Sequence, residues 1–173
     1  KGYAMTVNNT NLKSIKVKIQ ATTLLKDKHF YIIGHVRNRK IYQGKFEFGK
    51  QSTVSFEIPK GKIPSGVMTL TLLDDDKKPW CERAFFVNNQ DDLVIAANVS
   101  PEQFGKRDEI IVDIQVLDVD GRPVSTDLSV AVTDYDQIAK NPNSGNILTH
   151  LLLQSDIKGH IDDPGLLFKD QER

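Results

Sequence analysis

The residues of this 173-residue chain whose types permit chemistry are four histidines, one cysteine and two aspartate-rich runs. His29 and His35 are six positions apart. That spacing puts both on one face of a straight strand but about 20 Å from each other at ~3.3 Å per residue, too far to share a metal ion without a bend. His150 and His160 flank Ser155-Asp156, and nothing beside them completes a zinc set. Asp74-Asp75-Asp76 and Asp118-Val119-Asp120-Gly121 offer oxygens of the kind calcium takes. A calcium loop also needs further acidic ligands and a bidentate Glu at set offsets, and neither run has them, so both read as structural turns. Nucleophilic hydrolysis needs a Ser, Cys or Thr with a base in reach, and no Gly-x-Ser-x-Gly elbow occurs. Cys81, at the head of an apolar run beside Trp80, reads as a small buried hydrophobe, and a single cysteine excludes an internal disulfide framework. No catalytic, cofactor-binding, metal-binding or small-molecule site is assigned, and the chain is not expected to be an enzyme.

The elements around these residues are strands. Leu73-Asp74-Asp75-Asp76-Lys77-Lys78-Pro79-Trp80 and Leu117-Asp118-Val119-Asp120-Gly121-Arg122-Pro123-Val124 repeat one pattern, each between apolar runs. Period-two apolar residues broken by Asp, Gly and Pro mark a β-hairpin, because Asp tolerates left-handed angles and bonds its own chain while Pro blocks the ladder. Strands are predicted at Ile15–Ile19, His29–Val36, Lys45–Phe48, Val54–Ile58, Met68–Leu72, Arg83–Val87, Leu93–Val99, Ile110–Val116 and Leu128–Thr133. Asn146 is placed to cap a helix whose apolar stripe, Ile147, Leu148, Leu151 and Leu152, is expected to be buried. The fold class is therefore all-β, two consecutive β-sandwich domains with one short helix near the C-terminus.

Charge divides the chain at the polar stretch Asn88–Asp92. Residues 1–90 carry 16 Lys and Arg against 7 Asp and Glu, and residues 91–173 carry 7 against 16. Domains are accordingly predicted over residues 1–90 (basic) and 91–173 (acidic). The split is expected to draw the two halves together, within a molecule or between neighbours. Lys16 and Lys18 alternate with Ile15, Val17 and Ile19, which marks a solvated strand face. No aromatic-and-basic motif accompanies the charge, so nucleic acid is not expected as a partner. No apolar run is long enough to span a membrane, so insertion of these residues is not expected either. With Lys1 at its start and no apolar signal core, the chain reads as a processed or excised piece, its second domain cut short or completed beyond Arg173.

Pro64-Ser65-Gly66-Val67, the run to Leu73-Asp74, Pro79 and Glu82-Arg83-Ala84-Phe85-Phe86-Val87 resemble a "PSGV…TLFD…GKPLAERLVFV" stretch of large envelope proteins of the Bacteroidetes. Glu109 to Asp134 is similar to their following macroglobulin-like domain, with its "DxDGxPV…LSVAVTD" hairpin, and Asn146 to Gly165 to their "NI…YLLLSSDLKGYIEDPGYYF" segment. The likeness covers about residues 12–168 and lies in the order of motifs. Leu166-Leu167-Phe168 stands in place of Tyr-Tyr-Phe and Lys77-Lys78 in place of Gly-Lys, changes that bear on local turns. The Cys-Gly-Glu-Gln thioester of protease-trapping alpha-2-macroglobulins is absent.

The resemblance implies immunoglobulin-like macroglobulin domains in an exported chain, often preceding a carboxypeptidase-regulatory-like domain and a plug like that of TonB-dependent receptors. It implies a non-catalytic binding or spacer module at the periplasm or outer membrane, tied to uptake or surface assembly. The partner would be an envelope protein or neighbouring domains of the same polypeptide, with no cofactor. The alternative is an accessory or regulatory part of an enzyme or transporter whose active part lies elsewhere. In a bacterial chain the glycosylation-type triplets Asn8-Asn9-Thr10 and Asn98-Val99-Ser100 are chance matches.

Overall fold

The computed structural model describes residues 2–22, 29–101, 103, 105–133, 141 and 143–169. Alternation becomes strand almost throughout, giving β1 (Tyr3–Asn8), β2 (Ser14–Ala21), β3 (His29–Val36), β4 (Arg39–Glu47), β5 (Thr53–Pro59), β6 (Gly66–Asp74), β7 (Pro79–Val87), β8 (Val94–Ser100) and β9 (Ile111–Leu117). The fold is all-β, as expected. Three stretches of strand are additional to those predicted, namely β1, the first half of β4 and residues 79–82 at the start of β7. In all three, burial is weak: β1 sends only Met5 fully inside, and its alternation in the sequence is correspondingly faint.

The chain divides into two compact units, Lys1–Asn89 with Pro142–Arg173, and Gln90–Asn141. The tail thus belongs with the first unit, and not with the second as a single cut between residues 90 and 91 would place it. Counted over these units, the first carries 19 Lys and Arg against 12 Asp and Glu, the second 4 against 11.

The first unit is a sandwich of two antiparallel sheets in the orders β1-β2-β5 and β4-β3-β6-β7. Met5, Ile15, Val17, Ile19 and Ile58 from the smaller sheet meet Phe30, Ile32, Val36, Met68, Leu70, Leu72 and Val87 from the larger. This is what period two dictates: on β2 the isoleucines and valine are buried and Lys16 and Lys18 face solvent. Lys16 pairs with Glu57 across β2 and β5 at 3.7 Å, an exposed pair of the kind that contributes little. An aromatic chain closes one end, with Tyr3 4.9 Å from Phe30, Phe30 5.3 Å from Phe48, and Trp80 5.2 Å from Tyr3. At Gly34 on β3 a Cβ would crowd the side chains of Met68, Leu70 and Tyr42.

The tail straps β6 and β7 on their outer side. Phe168 stacks 5.0 Å from Phe86, and Gly165 donates to the Asn143 carbonyl at 3.0 Å, so close that only glycine fits. Asn146 caps α1 (Ile147–Thr149) as expected: its side chain accepts from the Thr149 amide at 2.9 Å, while the Thr149 hydroxyl accepts from the Asn146 amide at 2.8 Å. The buried stripe differs from the expected one. Thr149 and Leu153 are buried, Leu148 and Leu152 are half-buried, and Ile147 and Leu151 are exposed. The inward face runs one residue later than expected already within α1, at Thr149, and a π-type turn over His150–Gln154, in which the Ser155 amide donates to the His150 carbonyl at 2.9 Å, follows it. Leu151→Asp should therefore change stability by no more than about 0.5 kcal/mol, whereas Leu153→Ala should cost about 2–4 kcal/mol, read by urea denaturation.

In the second unit β8 and β9 pair antiparallel from Val94↔Leu117 to Ser100↔Ile111. The strand expected over Leu128–Thr133 is not formed. The ladder continues past the turn only through Leu117↔Pro123 and the bond from the Val124 amide to the Val116 carbonyl at 2.9 Å. Extending that register would set Asp127 opposite Asp113, a like-charge pair that opposes zipping.

Candidate functional site

The two aspartate runs are one turn built twice. In the first, the Lys77 amide donates to the Asp74 carbonyl at 3.0 Å and the Asp74 amide to the Lys78 carbonyl at 3.1 Å. In the second, the Gly121 amide donates to the Asp118 carbonyl at 3.0 Å and the Asp118 amide to the Arg122 carbonyl at 2.9 Å. Asp74 Oδ1 accepts from the Asp76 and Lys78 amides, both at 3.0 Å, and Asp118 Oδ1 from the Asp120 and Arg122 amides at 2.9 and 2.8 Å. The leading carboxylate of each run is therefore spent on its own backbone. Asp74 does more, since its Oδ2 accepts from Trp80 Nε1 at 2.8 Å, and it is buried.

The left-handed position falls on Lys77 (φ 63) and Gly121 (φ 78), not on an aspartate. At Gly121 nothing lies within 4 Å of a built Cβ, so Gly121→Ala meets backbone strain alone. It should cost about 1 kcal/mol, a roughly five-fold faster amide exchange at Val124. At Lys77 two effects oppose each other. Glycine would relieve about 1 kcal/mol of strain. It would also remove the ammonium 3.4 Å from the Tyr31 ring centroid, a cation–π contact of similar worth at an exposed site, so Lys77→Gly should be near neutral.

The remaining candidates are scattered. His29 holds Glu47 Oε1 at Nε2 (2.5 Å) and Asp75 Oδ2 at Nδ1 (3.7 Å), on opposite edges of its ring, so one ion cannot take all three groups. His35 lies further along β3 between Lys40 and Thr69. His160 pairs with Asp162 at 3.0 Å in solvent, and the His150 amide serves the helical turn. Among the described residues no three His, Cys, Asp or Glu converge as metal ligands. The Asn8 side chain accepts from the amide and hydroxyl of Thr10, a local turn. Cys81 packs at the core edge, and burial pushes its thiol up while Arg83 pulls the other way. Alkylation at pH 8 should be at least about ten-fold slower than in the unfolded chain.

What the motif reading missed is a surface. In the first unit Tyr31 pairs with Leu73 and Leu73 with Pro79; in the second Val94 pairs with Leu117 and Leu117 with Pro123. The ladders are in the same register, which sets Ile95, Ala97, Val99, Val112, Ile114 and Val116 where Ile32, Gly34, Val36, Met68, Leu70 and Leu72 lie. The first-unit set is sandwich core, with Ile32 and Leu70 at 0% exposure. Of their second-unit counterparts Ile95 and Ile114 are 60% and 39% exposed, whereas Val116, opposite Ile95, is buried. No charged side chain lies on that face, since Asp113 points to the other one with Asn98. The signal was present in the sequence as the alternation of β8 and β9, but period two does not say whether a face has a partner.

No described helix is long and apolar enough to cross a membrane, which says nothing of a β-barrel. A comparison of the chain with protein-family models and with curated proteins finds no match.

Proposed function

We propose that the chain is a non-catalytic binding and spacer part of a large, exported cell-envelope protein, its like β-modules arranged in series. The observation that carries this reading is the repetition. One aspartate turn and one ladder register are built twice, as in a chain that strings copies of a module. The motif order that resembles Bacteroidetes envelope proteins with macroglobulin-like domains supports the same reading and its placement at the periplasm or outer membrane. In this role the first unit supplies a stiff body, and the exposed strands of the second supply a surface for an envelope protein or a neighbouring module.

Fractionation of the source cells, with antibody against these residues, tests the proposal. Recovery with the outer membrane or periplasm is expected, in a polypeptide carrying further β-modules. Recovery in the cytosol, or a catalytic domain adjoining these modules and losing turnover when they are deleted, would favour the accessory-domain alternative.

A further inference from the structure

We propose that one end of the first unit docks on the surface of an anionic lipid bilayer, Leu12 entering the headgroup layer while lysines and arginines meet lipid phosphates. Three loops make this end. The strand registers set residues 9–13, between β1 and β2, beside residues 60–65, which follow β5. They set residues 37–38, between β3 and β4, beside the start of β6. Bonds between the loops tie them together. The Lys60 amide donates to the Lys13 carbonyl at 2.9 Å, Lys60 Nζ to the Asn9 carbonyl at 3.1 Å, and Arg37 Nη2 to the Ser65 carbonyl at 3.3 Å. Residues 8–14, 36–41 and 59–66 hold Lys13, Arg37, Arg39, Lys40, Lys60 and Lys62 and no Asp or Glu. All but Lys60 are exposed, and none of those five is ion-paired among the described residues. The described loops of the opposite end mix signs, with Glu47 and Asp74 to Asp76 beside Lys50, Lys77 and Lys78.

Leu12, in the loop between β1 and β2, is 89% exposed. A lone surface leucine is ordinary, but this one is held out by a braced loop. Asn8 Oδ1 accepts from the Thr10 amide at 3.0 Å, and Asn11 Oδ1 accepts from the Lys13 and Ser14 amides at 2.8 and 3.2 Å. Lys60 pins both flanks. An apolar side chain among cations matches a surface whose outer layer is phosphate and whose next layer is hydrocarbon. Fluid headgroups yield around a projecting leucine, whereas a rigid acidic protein would need a fitted pocket for it. Such docking is peripheral and requires no membrane-spanning segment. Anionic leaflets face exported and cytosolic proteins alike, so this docking stands apart from the envelope reading.

Co-sedimentation of the 173-residue chain with phosphatidylcholine vesicles, with and without about 30 mol% phosphatidylglycerol, is the test. Binding is expected only with phosphatidylglycerol present, and should be lost at about 0.5 M salt, where charges are largely screened. Each cation near an anionic surface contributes about five-fold in affinity, so Arg39→Glu with Lys62→Glu should weaken binding at least about 25-fold. Lys18→Glu with Lys45→Glu, the same change of charge on exposed sheet positions, should weaken it less than about five-fold. Leu12→Ser should weaken it roughly five-fold, and Leu12→Trp should show blue-shifted emission on binding. Absence of binding to phosphatidylglycerol vesicles overturns the proposal, as would follow if another part of the chain covered this end. Equal losses from the two charge pairs overturn it too, because net charge alone would then be the attraction. Undiminished binding by Leu12→Ser likewise overturns it. So does self-association that grows with concentration and disappears in Arg39→Glu with Lys62→Glu, since the acidic second unit of another copy would be the occupant.

Discussion

Phe30→Ala is expected to destabilise the first unit by about 3–5 kcal/mol, the cost of truncating a fully buried phenylalanine in a core that cannot collapse. Phe30 is wholly inaccessible, and Tyr3, Phe48 and Phe46 lie with ring centroids 4.9, 5.3 and 6.0 Å away. Its neighbours are ring edges and strand residues fixed by the ladder on both sides, so little can move into the space. Denaturant unfolding followed by Trp80 fluorescence reads the loss directly, because Trp80 packs on Tyr3 in the same cluster. A change below about 1 kcal/mol would mean that the aromatic chain is not part of the cooperative core.

Asp74→Ala is expected to cost about 3 kcal/mol, whereas Asp118→Ala should cost about 1 kcal/mol. The two carboxylates make the same pair of turn bonds, but only Asp74 is buried and bonded to Trp80 Nε1. Removing it leaves three donors to find partners, one of them an indole N–H against the core. At Asp118 the turn is exposed and water replaces the lost acceptor. Asp74→Asn keeps an oxygen for the Asp76 and Lys78 amides but brings an amide nitrogen or a neutral oxygen to the indole, so it should fall between the wild type and Asp74→Ala. Equal losses at Asp74 and Asp118 would show that burial and the Trp80 bond contribute nothing.

Sequence alone determined what period and turn chemistry control. Ile15–Ile19, His29–Val36 and Val54–Ile58 became β2, β3 and β5 because alternation on a half-buried strand has one solution for which face goes inside. Both Asp turns formed because their bonds close within five residues, so no distant element is needed to define them. Tertiary structure decided the rest. Thr149 and Leu153 are buried where Ile147 and Leu151 were expected to be, because which face of a short helix packs depends on strands far off in sequence such as β6. Leu128–Thr133 alternates as well as β8 does yet forms no strand, because pairing depends on what stands opposite, and there the register sets aspartate against aspartate. The tail joined the first unit through Phe168 on Phe86, a contact between residues 82 positions apart in sequence that local pattern cannot encode. The face of β8 and β9 shows the division most plainly. Its apolar character was written in the order of residues, but whether anything lies over it depends on elements distant in sequence, which period two does not specify.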